Sequence, residues 1–320
     1  MRRRTPAIGT ALALLALLAG LLVAGGTAPS GATDGKAGEP AARTNRADRL
    51  SIVALGDSFS SGSGIGNVEG FTGCQRSDVN YVSLVGRKLH ATYRDATCGS
   101  ATTDDAYSPQ HTGGNGTGEV PPQLTAVRPS TDVVLISLGL NDLQFFYNMI
   151  FGCIPMSGLY PTGTPCENMW FMTGRRGPVQ ELPAIHDRLL RVVQDAQVRA
   201  PHAEVLVVGY PQLVPETGTC ADLPLPTGEY AYFHTAFEAL AWTMRDVAVQ
   251  TGATYVDVLG PSRGHDICAG TAAWVNGRNL KPGEATPYHP YANEQRAIAR
   301  LVVQALGDTA RDARRGGLLP

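Results

Sequence analysis

Charge is scarce in this chain: 17% of its 320 residues are Asp, Glu, Lys or Arg, where about 25% is usual. With a formal net charge of −2, it lacks the basic surplus that nucleic-acid binding normally leaves on a domain. Motifs of several chemistries are also missing. No CxxC or CxxH spacing offers a zinc site, no HExxH a metalloprotease helix, and no GxGxxG in a strand–helix setting a dinucleotide cradle. There is no internal repeat, and no second domain boundary follows residue 50. What is plentiful is Gly (37), Pro (22) and hydrophobic residues (43%). That mixture excludes a disordered tail protein, a coiled coil and a collagen-like chain, and the length suffices for one substantial core.

The N-terminus has its own grammar. Arg2, Arg3 and Arg4 precede a run from Ala11 to Val23 that is almost purely Ala and Leu, and the small residues Ala24-Gly25-Gly26-Thr27-Ala28 follow. This pattern reads as a secretory signal peptide over residues 1–32, cleaved after Ala28 or Ala32. Its removal takes away three arginines and no acid, so the exported chain is more acidic than the formal value. The same uncharged stretch is also long enough for an uncleaved membrane anchor. No Cys follows the run, which argues against lipidation. Residues 33–49, without hydrophobic periodicity, read as a disordered lead-in.

All six cysteines, Cys74, Cys98, Cys153, Cys166, Cys220 and Cys268, lie beyond the export signal. An even number in that context implies three disulfides, and six cysteines allow 15 connectivities. Pairing in sequence order is the expectation, because each bridge then closes a loop of moderate length between neighbouring elements.

Apolar β-branched runs at Ser51 to Leu55, Asp132 to Leu138, Glu204 to Val208 and Thr254 to Val258, with a weaker one at Tyr93 to Thr97, predict strands. Stripes at helical spacing predict helices: Ile185, Leu189, Val192, Val193, Ala196; Phe233, Phe237, Leu240, Met244, Val247; and Ile298, Leu301, Val302, Ala305. Such alternation predicts an α/β fold with a mostly parallel sheet, whose ligands bind beyond the carboxyl ends of the strands.

Chemistry-bearing residues stand at those ends. Gly56-Asp57-Ser58-Phe59-Ser60-Ser61-Gly62 follows the first strand and exposes a serine on a tight turn. It is not a GxSxG nucleophile elbow, because position 60 is Ser. After the third strand, Gly139-Leu140-Asn141-Asp142 supplies an amide donor suited to developing negative charge. His289 and Pro290 precede the last amphipathic helix, where a loop holds the imidazole. Taken singly, each has a plain alternative as a turn, a helix cap or a surface histidine.

Taken together, GDSFSSG after the first strand, GxND after the third and HP before the last helix resemble the SGNH (GDSL) hydrolase family. The order and spacing match across essentially the whole exported chain. Gly209-Tyr210-Pro211-Gln212-Leu213, Gly264-His265-Asp266-Ile267-Cys268 and Trp274-Val275-Asn276-Gly277 look like its secreted actinobacterial lipase and phospholipase branch. The resemblance implies a flavodoxin-like three-layer α/β/α domain over residues 50–310, with a flexible tail at 311–320. It also implies hydrolysis of carboxylic esters of lipids without a cofactor or metal. Ser58 is the implied nucleophile, His289 the general base and then acid, and Asn141 with the Ser58 N–H the oxyanion donors.

Two positions depart from the family pattern. The second block, usually a Ser-Gly pair, here reads Cys98-Gly99-Ser100-Ala101-Thr102. Gly99 is the first choice for the further oxyanion N–H and Ser100 the alternative. Three residues before His289 the family often has Asp, but here stands Thr286. A Ser58–His289 dyad oriented by the backbone carbonyl of Thr286 or Pro287 is therefore expected. Asp57 is expected to serve turn hydrogen bonds, Asp142 to cap its following segment, and His265-Asp266 to be structural.

A long insertion before Ile185 gathers Phe145, Phe146, Tyr147, Met149, Phe151, Met156, Tyr160, Trp170, Phe171 and Met172, an adaptable apolar wall that suggests an acyl-chain groove. The expected partners are an ester substrate and, transiently, a lipid surface, with the chain working as a monomer. Polysaccharide deacetylation and non-catalytic lipid or glycan binding are the competing functions.

Overall fold

The alternation of apolar run and amphipathic stripe resolves into three layers. The computed structural model describes residues 49–68, 72–112, 118–280 and 284–315. The expected signal peptide, and all of the lead-in except Arg49, lie outside these residues. Among the described residues no helix is long and apolar enough to cross a membrane.

The strands are β1 (Ser51–Gly56), β2 (Thr92–Asp95), β3 (Gln110–Thr112), β4 (Gly118–Val120), β5 (Val133–Ser137), β6 (Glu204–Val208) and β7 (Thr254–Val256). Strands β3 and β4 pair antiparallel on their own, a feature the sequence pattern did not suggest. The other five form one parallel sheet in the order β2-β1-β5-β6-β7. The order reverses between β1 and β5, which makes the crevice beyond their carboxyl ends the natural ligand site. Two strands stop short of the expected ends for local reasons. Asp95 Oδ1 accepts from the N–H (2.9 Å) and hydroxyl (2.6 Å) of Thr97, an Asx turn, and Asp257 Oδ1 accepts from Gly260 N–H, three residues on, at 3.0 Å; both bonds draw the chain out of the sheet.

The helices are α1 (Ser58–Ser61), α2 (Tyr81–Lys88), α3 (Phe145–Met149), α4 (Pro165–Met172), α5 (Pro178–Arg199), α6 (Glu229–Thr251) and α7 (Ala292–Arg315). Strand parity divides them between two faces. Ile52, Ala54, Val133, Leu135, Leu206 and Val208 pack on α2 and α7 through Val82, Val85, Ile298 and Val302. Val53, Leu55, Val134, Ile136, Val205 and Val207 pack on α5 and α6 through Ile185, Leu189, Phe233 and Leu240. Burial on both faces is why these strands read as unbroken apolar runs. Each fully buried Val, Leu or Ile contributes about 1.5–3 kcal/mol.

Helix α2 escaped the periodicity because two turns are too short for a stripe; Asn80 Oδ1 starts it by accepting from Ser83 N–H at 2.9 Å. Helix α7 continues to Arg315, five residues into the stretch expected as a tail. Residues 311–315 (Arg-Asp-Ala-Arg-Arg) include no Gly or Pro to stop it, and Ala and Arg are strong helix formers. The remaining residues of that tail, 316–320, lie outside the described set. The cysteines pair in sequence order, Cys74–Cys98, Cys153–Cys166 and Cys220–Cys268.

Candidate active site

The serine is delivered by the abrupt end of β1. Gly56 is the last residue of that strand, and a Cβ there would lie 2.5 Å from Ser60 Oγ, so only glycine fits. Gln123 grips the same residue twice: its Oε1 accepts from Gly56 N–H at 2.8 Å and its Nε2 donates to Gly56 O at 2.9 Å. Asp57 then caps α1, accepting from Phe59 N–H at 2.9 Å, and Gly62 ends that helix with φ +73°. Ser58, on this single turn, is 8% exposed.

Asp57 is fully buried, and Tyr210 donates its hydroxyl to Oδ2 at 2.7 Å. Desolvation dominates there and pushes the carboxyl up to about 7, against the hydrogen bonds from Tyr210 and Phe59. The expected turn role of Asp57 is thus joined by a link to the segment after β6.

His289 reaches the serine from a tightly tied loop. Asn276 N–H donates to His289 O at 2.9 Å, Asn276 Nδ2 to Ala285 O at 2.6 Å, and Thr286 N–H to Ser63 O at 3.1 Å. His289 Nε2 lies 2.8 Å from Ser58 Oγ, and Nδ1 lies 2.9 Å from Pro287 O. A carbonyl only accepts, so Nδ1 carries the proton and Nε2 is left as the acceptor facing the hydroxyl.

Of the two carbonyls expected to orient the ring, it is that of Pro287, and not that of Thr286, which meets Nδ1. The Thr286 carbonyl takes the backbone N–H of His289 at 3.1 Å, while its side chain bonds Ser63 Oγ at 3.1 Å. Tyr288, at φ +64°, turns the chain between the Pro287 carbonyl and His289, so that the ring folds back onto that carbonyl. Phe59 and Phe146 flank the imidazole, with ring centroids 5.2 and 6.0 Å away. Burial in this setting pushes the His289 pKa below its ordinary 6.5, opposed by the Pro287 hydrogen bond.

The remaining sequence candidates lie on two turns stitched to the serine. Cys98 N–H donates to Gly56 O at 3.0 Å, Asn141 Nδ2 to Ala101 O at 3.1 Å, and Thr103 N–H to Asp142 Oδ1 at 2.8 Å, with the Thr103 hydroxyl on Asp142 Oδ2. Asp142 thus ties two turns together instead of capping its own segment. Burial raises its pKa, against those Thr103 bonds.

Gly99 is corrected as well. Its N–H is already donated to Cys74 O at 3.0 Å. The Gly99 carbonyl accepts from Gln110 Nε2 at 2.7 Å, and in a trans peptide the following N–H points the opposite way. That N–H belongs to Ser100, held at φ +62°.

Gln123 and Tyr210 are the site residues that sequence reasoning missed. Gln123 is 67 positions from the glycine it grips, with no motif around it. Tyr210 was visible in the Gly209-Tyr210-Pro211 signature, but nothing there named its partner. His265 stacks on Trp274 with centroids 4.7 Å apart, and Asp266 accepts from Cys268 N–H at 2.8 Å, both local ties. Among the described residues the one grouping of potential metal ligands is Cys153, Cys166 and Glu229, whose two sulfurs are bonded to each other.

A serine hydroxyl at a strand end, an imidazole on it and amide donors on adjoining turns make an acyl-transfer site. The chain belongs to the GDSL-like lipase/acylhydrolase family, which it matches over residues 54–297. It is an ester hydrolase of this family. Lipase 2 of Streptomyces coelicolor is 35% identical over 312 residues, covering 92% of this chain and 98% of that one. The crystal structure of an extracellular lipase from Streptomyces rimosus superimposes with TM-score 0.66 at 27% identity, covering 80% of this chain and 99% of that one. That of phospholipase A1 from Streptomyces albidoflavus gives 0.64 at 27% identity, covering 81% and 99%.

Proposed function

We propose that this ester hydrolase is secreted and cleaves carboxylic esters of lipids through a Ser58–His289 dyad and an acyl-enzyme. The observation that carries the reading is the relay Pro287 O, His289 Nδ1–H, His289 Nε2, Ser58 Oγ, with links of 2.9 and 2.8 Å. As Oγ attacks the ester carbonyl carbon, its proton passes to Nε2. The oxyanion is met by the Ser58 and Ser100 backbone N–H groups and by Asn141, whose amide keeps one N–H beyond that given to Ala101. The imidazolium then protonates the departing alkoxide, the alcohol leaves, and Ser58 is acylated. Water, deprotonated by His289, attacks the acyl carbon and releases the carboxylate while Ser58 recovers its proton. The Pro287 carbonyl keeps the ring in the required tautomer throughout.

The lipid reading is supported by the apolar surroundings of His289. Phe146 lies against Phe151 at 5.8 Å, and Phe151 against Tyr288 at 5.6 Å, so aromatic rings continue outward from the imidazole. We assign the acyl chain to this wall. Trp170, which the sequence reading had grouped with it, is 3% exposed and packs on Phe233 and Tyr232. Secretion is supported by the N-terminal Arg-rich and apolar pattern and by three disulfides.

A fluorophosphonate tests the reading: it should label the wild-type protein at Ser58 and leave Ser58→Ala unlabelled. Absence of labelling together with no cleavage of p-nitrophenyl esters sinks the proposal. A panel of glycerides, phospholipids and acetylated sugars then assigns the substrate, and preference for the sugars would overturn the lipid assignment.

A further inference from the structure

The insertion between β5 and α5 begins where a parallel strand ends and finishes where the next helix departs. Both ends therefore lie at the carboxyl edge of the sheet, the edge that bears Ser58. What this insertion exposes is unusually apolar. Of the thirteen large hydrophobic side chains exposed among the described residues, six fall between 147 and 172: Tyr147, Phe151, Leu159, Tyr160, Phe171 and Met172. Scattered exposure of this kind is ordinary, but concentration beside a site is not.

Helix α4 holds two of them in place. Its inner side is pinned by the Cys153–Cys166 bridge, by Glu229 Oε1 accepting from Cys166 N–H at 2.7 Å, and by Trp170 stacked on Phe233 at 6.3 Å. On the other side Phe171 and Met172 are 86% and 77% exposed. The helix thus shows solvent a polar first turn, Glu167 and Asn168, and an apolar last turn, Phe171 and Met172, and it is the last turn that can meet a second apolar phase.

Charge indicates which phase. Between Leu143 and Gly177 the charged residues are Glu167, Arg175 and Arg176, a net positive stretch in an acidic chain. Phe171, Arg175 and Arg176 line one hollow of about 350 Å³ with a single acid, Glu167, which leaves the guanidinium groups in excess there. Arg176 has only a loose partner, Glu181 at 3.9 Å, and Arg175 makes no ion pair among the described residues. Apolar tips beside guanidinium groups match acyl chains lying under anionic headgroups.

We propose that α4 and the turn after it dock this enzyme onto an anionic phospholipid surface through Phe171 and Met172, with Arg175 and Arg176 at headgroup level. The proposal deepens the lipid-hydrolase reading, yet docking itself needs no turnover. Sedimentation with vesicles of phosphatidylglycerol and phosphatidylcholine tests it, using Ser58→Ala protein so that the lipid stays intact.

Adding Phe171→Ser with Met172→Ser should weaken partitioning about tenfold or more. Arg175→Glu with Arg176→Glu should weaken it about tenfold on anionic vesicles and little on pure phosphatidylcholine. Trp242→Ser, removing an apolar side chain that is 61% exposed on α6, should change nothing. With Ser58 intact, the α4 double variant should lose turnover of vesicle-borne ester and retain that of a monomeric soluble ester.

Partitioning unchanged in the α4 variant, equal loss with Trp242→Ser, or soluble-ester turnover falling in step would overturn the proposal. So would self-association through α4 in place of vesicle binding. Vesicle binding that depends on α4, in a Ser58-intact protein that cleaves no ester, would sink the hydrolase reading and leave docking standing.

Discussion

The sheet edge and the insertion beside it are built on opposite plans. At the edge, Gly56, Asp57, Thr103, Asp142 and His289 are held by hydrogen bonds between residues far apart in sequence, and Asp57, Ser58, Thr103 and Asp142 are buried. The insertion is tied down by a disulfide, the Glu229 bond to Cys166 N–H and buried apolar side chains such as Phe145, Met149 and Trp170, and offers Phe151, Phe171 and Met172 to the outside. Chemistry requires atoms fixed within fractions of an ångström, so the edge is polar, dry and cross-linked. Holding a flexible acyl chain requires area more than position, so aromatic and thioether side chains suffice.

Substitutions that separate the two regions give the sharpest tests. The largest effect is expected at the edge: His289→Ala should lower kcat/KM by about a thousandfold or more on short and long esters alike. Asn141→Ala should cost about a hundredfold in kcat, again without regard to chain length. A chain-length bias in either variant would blur the boundary between the regions. Within the insertion, Phe151→Ala should cost about tenfold on long-chain esters and little on acetyl or butyryl esters. Trp170→Ala should instead lower unfolding free energy by about 3–5 kcal/mol with the chain-length profile unchanged. Urea unfolding read beside kinetics distinguishes these two outcomes.

Two smaller effects concern the imidazole. Because burial disfavours the His289 cation, its folded-state pKa lies below 6.5, and the neutral base is available to lower pH than an exposed histidine allows. The acid limb of kcat/KM should accordingly rise through a midpoint below 6.5. The linked stability term has the same sign: between the two pKa values the unfolded chain binds the proton and the native one does not, so stability falls as pH drops through 6.5. Thr286→Ala should leave activity within about twofold, since the ring rests on Pro287 O. A loss like that of His289→Ala would mean that the threonine side chain belongs to the relay.

Much of the edge was legible in the residue string. Strand-end placement of Ser58 and Asn141 followed from apolar periodicity, because a strand buried on both faces must be written as a continuous run, and His289 was placed by the amphipathic stripe of the helix it precedes. Pairing of the cysteines in order came from loop length alone. The errors have a common cause. Thr286 or Pro287 was expected to supply a backbone C=O, and Gly99 or Ser100 a backbone N–H, and residue type does not say which of two neighbouring peptide groups faces the site. Their directions are set by φ +64° at Tyr288 and φ +62° at Ser100, two conformations with no signature in those side chains. Gln123 and Tyr210 were unreadable because their partners, Gly56 and Asp57, are 67 and 153 positions away.

By itself the sequence determined the five strands of the parallel sheet and the three long helices α5, α6 and α7, which of their faces meet the core, and which side chains stand at the mouth of the sheet. These follow from local propensity and from the period of apolar residues, both written along the chain. Only the tertiary structure decided that the Pro287 carbonyl meets the imidazole, that the Gly99 N–H is taken by Cys74 O, and that Trp170 turns inward while Phe171 turns out. Each of those depends on the direction of a peptide plane or a side chain, and direction is set by contacts that exist only once distant segments have met.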